Sequence, residues 1–333
     1  MNPAQVLDAF SRLSVLVVGD ICLDCWRRYD PAASEPSRET GIPRIGVVES
    51  ESTPGAGGTI ANNLAALGAG RIGVLGITGD DGSGYELRRE LVRRGVDTDY
   101  LFSVPGFPTF TYTKLINRLT GKEDLPRVDL LPTRPLPVEV EERLIEALRA
   151  AAPLHDAIVI SDQAETGQAM VVTPRMREAL AALASQFPEK VFWADSRLRA
   201  EEFRNVIVKP NQTEAEAACL RLFGNVDHQA LLRHIQAPLL VVTEGPQGAR
   251  LVYPGREERI PAVPVAQPVD ICGAGDSFTA AAVCALAVTR DPAEAARFGN
   301  LAASITIMQK GTGTASRAEL LDRLQRGGAA RAQ

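Results

Sequence analysis

In the last quarter of the 333-residue chain, Asp270-Ile271-Cys272-Gly273-Ala274-Gly275-Asp276 leads into an alanine-rich, helix-favouring stretch at 279–288. Gly273, Ala274 and Gly275 can turn their backbone amides toward one point, and the helix dipole adds partial positive charge there. Such a turn suits a phosphate-sized anion. Asp276 then falls in the first helical turn, beside the anion. Aspartate is also a preferred N-cap residue, and capping alone would account for its type. A carboxylate beside an anion site is electrostatically awkward, however, which favours a chemical role. Asp276 would take the proton of an attacking hydroxyl while the three amides stabilise charge on a transferring phosphoryl group.

Rival chemistries fare worse. The Gly121-Lys122 pair is followed by Glu123, so it forms no Walker-type phosphate loop. Gly55-Ala56-Gly57-Gly58 precedes a helical pattern, but Pro54 and the polar run 49–53 separate it from any buried strand, and a dinucleotide fingerprint's third glycine is missing. Cys22 and Cys25 form a C-x-x-C pair without a second pair at zinc spacing, and His155, His228 and His234 are scattered. Two small residues lining a strand end is the simpler account of that pair. Cys272 stands next to helix-terminal amides, where a thiol's pKa tends to fall. That position predicts a reactive thiol, although a buried, inert one is the commoner fate.

Apolar, β-branched runs at 14–19, 71–77, 157–161, 191–195, 206–208 and 239–243 read as buried strands. Helical patterns lie between them at 60–67, 85–94, 138–151, 174–185 and 214–222. This alternation predicts a mostly parallel sheet covered on both faces, with ligands at the carboxyl ends of its strands. Segments 42–51 and 109–117 alternate polar and apolar residues instead. With 125–131 they predict a small projecting sheet, suited to a lid that excludes water. Its exposed strand edges would suit a homodimer.

Hydrophobic residues at 45% and charged residues at 23% are ordinary for a globular chain. The formal net charge of -5 argues against binding nucleic acid through its phosphates. No apolar run is long enough to span a membrane, and segment 1–13 lacks the apolar core of a signal peptide, so a cytoplasmic enzyme is expected.

The whole chain resembles the ribokinase/PfkB carbohydrate kinases, and residues 1–333 are expected to form a single domain of that kind. Family members usually read D-T-x-G-A-G-D where this sequence has residues 270–276. The resemblance implies a three-layer α/β/α fold with a projecting β lid, and an enzyme that uses ATP, Mg²⁺ and, in some members, K⁺. Gly19-Asp20-Ile21-Cys22-Leu23-Asp24 resembles the sugar-contacting strand end, which would give Asp24 the acceptor hydroxyls. On the same side the resemblance implies Gly55, Thr59, Asn63 and Lys114 as acceptor contacts. Lys209-Pro210-Asn211-Gln212-Thr213-Glu214 resembles an N-x-x-E motif, in which Asn211 and Glu214 help hold Mg²⁺ through water and Lys209 meets the nucleotide. Thr243, Gly245 and Gly248 are similar to the turn beneath the nucleotide. Asn300 and Lys310-Gly311-Thr312 resemble the far wall of the adenine pocket and a monovalent-cation loop, with Asp270 beside the K⁺.

Within the family, the sequence most resembles heptose-7-phosphate kinases, on Leu23-Asp24, Pro108-Thr109, Thr113-Lys114-Leu115 and Arg127-Val128-Asp129. Two departures lie on the acceptor side. The subgroup's P-G-G-A-A-N is here Pro54-Gly55-Ala56-Gly57-Gly58-Thr59, and its S-D-Y-x-K-G is Ser161-Asp162-Gln163-Ala164-Glu165-Thr166-Gly167, without the lysine. The expected acceptor is therefore a sugar or sugar phosphate, heptose 7-phosphate among them. A nucleoside, an unphosphorylated hexose, or a role in sensing rather than turnover are the alternatives. Arg27, Arg28, Arg38, Lys114 and Arg197 remain as cations for an anionic acceptor.

Overall fold

The computed structural model describes residues 1–164 and 171–331. In chain order the elements are α1 (Pro3–Ala9), β1 (Ser14–Gly19), β2 (Ile21–Tyr29), β3 (Val47–Ala56), α2 (Gly57–Leu67), β4 (Arg71–Gly79), α3 (Gly82–Arg93), β5 (Val96–Val104), β6 (Thr111–Asn117), α4 (Val138–Ala151) and β7 (Ala157–Asp162). There follow α5 (Pro174–Gln186), β8 (Val191–Ser196), β9 (Ile207–Val208), α6 (Gln212–Phe223), α7 (His228–Ile235), β10 (Leu240–Thr243), β11 (Ala249–Tyr253), β12 (Arg256–Ile260), α8 (Ala274–Thr289), α9 (Pro292–Thr306) and α10 (Arg317–Arg331).

Among the described residues, nine strands form one sheet in the order β12-β11-β10-β9-β8-β7-β1-β4-β5. From β5 to β10 every neighbour pair is parallel, while β10–β11 and β11–β12 pair antiparallel and close that edge. Parallel strands must be covered on both faces, and alternate residues of single strands serve the two layers. Val15, Val17, Val159 and Trp193 pack with α1, α2, α8 and α9 in one core. Leu16, Val18, Ile158 and Ile160 pack with α4, α5, α6 and α7 in the other. The result is a three-layer α/β/α sandwich around a mostly parallel sheet covered on both faces, as the alternation of elements predicts.

The second sheet has the order β3-β2-β6. The chain enters it straight from the main sheet, since only Asp20 separates β1 from β2. Gly19 makes this switch at φ +133, where an added Cβ would sit 2.1 Å from the Ser161 carbonyl oxygen. No side chain fits there. This small sheet differs in detail from the sequence-based expectation. Its central strand is β2, which the sequence reads only as a strand end opening into a loop. Strand β3 begins later than 42, beyond Pro43 and Gly46, and runs on through the polar residues 49–53 to Ala56. Segment 125–131 forms no strand of its own. It touches β6 through an isolated Thr111–Leu130 bridge and one bond from the Val128 amide to the Thr113 carbonyl, and Pro126 removes a donor that a ladder there would use.

Candidate active site

The carboxyl ends of β8 and β9 meet the N-terminal turns of α8, and the partly exposed surface there is the candidate cleft. Gly273 caps α8 in the left-handed region, at φ +77, and Asp276 is the acid of its first turn. Asp276 keeps a partial opening to the cleft. Even so, burial in the cleft floor, reinforced by nearby Asp195 and Asp24, raises its pKa to about 8 against the partial relief of Lys209 and Arg197. Lys209 lies immediately past β9 and is buried; its Nζ is 3.0 Å from an Asp195 carboxylate oxygen. Burial works to neutralise this lysine, but Asp195, Glu214 and Asp276 outweigh it and hold the pKa above the ordinary value. A Cβ on Gly275 would stand 3.6 Å from the same Nζ. The ammonium thus sits against the amide turn, where it adds charge to any anion bound there. The Thr279 hydroxyl donates to Asp195 at 3.1 Å and fixes the other end of the pair.

Asn211 and Glu214 form a reciprocal capping box at the start of α6. The Glu214 amide donates to Asn211 at 2.9 Å, and the Asn211 amide donates to Glu214 at 2.7 Å. Burial raises the Glu214 pKa, opposed by the Asn211 amide and Lys209. Among the described residues no three metal-ligating side chains converge. That donor set fits Mg²⁺, which binds few protein carboxylates and takes its remaining oxygens from phosphate and water. Asp270 accepts from the Cys272 amide at 2.9 Å and the Gly311 amide at 3.1 Å, so both carboxylate oxygens are tied into the turn. Its remaining lone pairs are hard oxygen donors of the kind K⁺ takes.

On the donor side, Thr243 ends β10, its amide donating to the Pro210 carbonyl. Gly245 lies open, with no heavy atom within 4 Å of an added Cβ, whereas Gly248 lies tight against residues 260–262. The Asn300 side chain, on α9, donates to the carbonyls of Ile260 and Pro261 at 3.1 and 3.0 Å, pinning the chain where it leaves β12.

On the acceptor side, Asp24 stands on β2, opposite the amide turn. Burial raises its pKa to about 6, while Cys22, Lys114 and Arg127 pull it down. An added Cβ on Gly55 would lie 2.3 Å from the Asp24 carboxylate, so glycine at 55 is what leaves that carboxylate its room. Lys114 pairs with Glu123 at 3.7 Å. Thr59 and Asn63 are buried inside α2: the Thr59 hydroxyl donates to the Pro54 carbonyl, and Asn63 donates to the Thr59 carbonyl. The Asn63 amide oxygen has no partner among the described residues. Arg27 bonds Ser50 and Ser52, and Arg28 pairs with Glu49 and Glu51. Arg38 lies on an exposed loop, and Arg197 influences Asp276.

The expectation of an activated Cys272 is overturned. Burial raises its pKa, and Asp24, Asp270 and Asp276 add to that effect against the favourable charge of Lys114. Cys22 and Cys25 are buried free thiols, and Cys22 is raised far above the ordinary range by burial and by Asp24. Of the subgroup motif without its lysine, residues 165–167 lie outside the described residues.

Three carboxylates and one cavity escaped the sequence reading. Asp195 is the penultimate residue of β8, inside an apolar run that gives no sign of a buried ion pair. Asp20, buried with its pKa raised to about 6 by burial and by Asp162, accepts from the amides of Gln163, Ala164 and Val171. Asp162 is held by the Arg199 guanidinium at 2.7 Å and by the Ser196 hydroxyl at 2.6 Å. Finally, a cavity between the two sheets is lined by Ile77, Phe110, Tyr112, Arg127 and Asp129. There Arg127 stacks on Tyr112, 4.6 Å from the ring centre, and pairs with Asp129 at 2.7 Å.

Residues 12–319 match the model of the pfkB family carbohydrate kinases, and the chain belongs to that family of sugar-phosphorylating enzymes. Bifunctional protein HldE of Trichlorobacter lovleyi is 30% identical over 320 residues, a match covering 93% of this chain and 62% of that protein. HldE of Klebsiella pneumoniae is likewise 30% identical over 329 residues, covering 94% of this chain and 64% of its own length. The chain thus spans less than two thirds of these relatives. Among solved structures, ribokinase from Thermotoga maritima superimposes with a TM-score of 0.69 at 21% identity, covering 94% of this chain and 99% of its own. Phosphofructokinase-2 from Escherichia coli, solved in complex with potassium, gives 0.71 at 22% with the same coverage. At such identities these two likenesses establish the fold. No described helix is long and apolar enough to cross a membrane.

Proposed function

We propose that this kinase transfers the γ-phosphoryl group of ATP to a hydroxyl of a sugar or sugar phosphate, with heptose 7-phosphate the first acceptor to test. The supporting observation is the convergence on one cleft of Asp276, the 273–275 amide turn and Lys209, with Asp24 across from them on the lid. Asp24 orients the acceptor hydroxyl and Asp276 accepts its proton. The three amides and Lys209 take up the charge that spreads over the phosphoryl oxygens. Thr243, Gly245, Gly248 and Asn300 border the groove for the nucleotide. Asn211 and Glu214 would hold Mg²⁺ through water, and the ion supplies charge neutralisation between the phosphates. Asp270 would hold K⁺, which leaves the turn's geometry dependent on that ion. The enzyme would work in the cytoplasm, where ATP is available, and as a homodimer joined through its lid sheets.

One group of observations favours a second acceptor class. The cations nearest Asp24 already have partners, Lys114 in Glu123 and Arg127 in Asp129, and the subgroup's lysine is absent. Phe110 and Tyr112, with ring centres 4.7 Å apart, give the cavity an apolar wall. These features suit an unphosphorylated hexose or a nucleoside. ADP release from Mg-ATP, with and without K⁺, across sugars, sugar phosphates and nucleosides separates the two readings. Turnover on heptose 7-phosphate alone supports the first, and turnover on a neutral acceptor alone supports the second. If every acceptor is silent while ATP binds, both acceptor assignments are wrong.

A further inference from the structure

The segment 309–314 lies between the lid and the amide turn and touches both. On the turn side, the Gly311 amide donates to Asp270, which also accepts from Cys272. A Cβ on Gly273 would meet Thr312 at 3.4 Å, so Thr312 packs against the first residue of the turn. Gln309 closes the segment on itself through paired bonds with Thr314 at 2.9 and 3.1 Å. On the lid side, a Cβ on Gly311 would lie 3.5 Å from Cζ2 of Trp26, so the indole rests against this glycine. The Lys310 ammonium donates to the Gly121 carbonyl at 3.1 Å, in the turn that follows β6.

Trp26 is two residues beyond Asp24 on the central lid strand. Alternate residues of a strand share a face, so the indole and the acceptor-orienting carboxylate point to the same side of the lid. The register Asp24↔Thr53 and Trp26↔Glu51 on one side, and Asp24↔Tyr112 and Trp26↔Lys114 on the other, ties them into one small sheet. Fixing the indole on Gly311 therefore fixes where Asp24 stands relative to Asp276.

We propose that Trp26 is a positioning residue: seated on Gly311, it couples closure of the lid over the acceptor to occupancy of the amide turn, with Asp270 as the link between them. An anion in the turn orders residues 271–275, these hold Asp270, and Asp270 holds Gly311 as a seat for the indole. An empty turn leaves the seat less fixed and the lid freer to open. Because such coupling is reciprocal, a lid closed on acceptor raises affinity for the nucleotide by the same factor. This rests on the reading of residues 273–275 as the nucleotide's phosphate site.

The test is hydrogen exchange of the lid strands with and without Mg-ADP, run beside steady-state kinetics on the acceptor found active. In the wild type, Mg-ADP is expected to slow exchange in residues 21–29 and 47–56. Trp26→Ala should still bind Mg-ADP within about twofold but lose that protection. Its acceptor KM should rise about tenfold, within the usual range of such couplings, with a smaller change in kcat. Trp26→Phe, which keeps an aromatic face, should restore most of both effects. If Trp26→Ala does not fold, Lys310→Ala, compared with wild type at Mg-ADP concentrations that saturate both, decides instead: reduced protection supports the coupling and unchanged protection overturns it. Wild-type protein that binds no Mg-ADP overturns the phosphate-site reading and the coupling together. Bound Mg-ADP without lid protection, or protection undiminished in Trp26→Ala, overturns the coupling alone.

Discussion

Asp276 carries the sharpest consequence at the scale of single residues. Burial, with the neighbouring carboxylates of Asp195 and Asp24 adding to it, holds the proton on to a pKa of about 8. A base must be unprotonated to accept the hydroxyl proton, so kcat/KM should climb as pH rises toward about 8 and then level. Asp276→Asn should lower turnover about 10²- to 10⁴-fold, the usual share of general base catalysis, with nucleotide affinity largely kept. Full turnover in Asp276→Asn would remove Asp276 from the reaction. This residue was legible because its motif is contiguous: glycines, carboxylate and helix lie within ten positions. Asp195 was not legible, because its partner Lys209 follows a different strand and the two meet only when β8 and β9 pair. Cys272 was misread for a related reason. The helix terminus is visible along the chain, whereas the three carboxylates that raise the thiol arrive from β2, from the turn and from α8.

At the scale of elements, buried parallel strands were easy to find because each is an unbroken apolar run. The lid was harder. One of its faces is open, so the polar residues 49–53 looked like a separator when they are the body of β3. Strand β2 was hidden by the Gly19-Asp20 pair, which resembles the entrance to a loop and is a switch between sheets. The lid joins α2 at Ala56, where the resembling subgroup has the second glycine of its pair. Ala56 stands at φ 51, ψ −123, held by pairing with Ile21 and by the bond from the Gly57 amide to the Asp20 carbonyl. An L-residue is strained in that region and glycine is not. Ala56→Gly should therefore stabilise the fold by about 1 kcal/mol, net of the entropy glycine adds to the unfolded chain. In a chain of this size that is roughly 2 °C in melting temperature. A melting temperature lower than the wild type's would show that the junction tolerates the methyl group without strain.

At the scale of the whole molecule, the lid concentrates exposed apolar side chains. Ile45, Val47, Val48, Val128 and Leu130 are each about half exposed, on or beside the outer strands of a sheet only three strands wide. A second copy covering that face would explain them, and Val48→Lys should then shift the sedimentation coefficient from dimer to monomer; a monomeric wild type at micromolar concentration contradicts this. The other global property is stability against pH. In the folded, ligand-free chain the pKa of Asp20 and Asp24 stands near 6 and that of Asp276 near 8, all above the ordinary carboxylate value. Unfolding at intermediate pH therefore releases protons from these groups, and stability must fall as pH rises. Asp20 and Asp24 contribute this fall from about pH 4 to 6, and Asp276 from about pH 4 to 8. His155 and His228, depressed by burial, act oppositely, adding stability as pH rises through the ordinary histidine range. The difference between Asp276→Asn and wild type isolates the aspartate from them. Asparagine has no proton to lose, so the mutant's advantage in thermal melts should be small near pH 4 and grow steadily to pH 8. A difference that stays flat across that range would mean that Asp276 is ionised in the folded enzyme at neutral pH, ready to act as a base without its neighbours' influence.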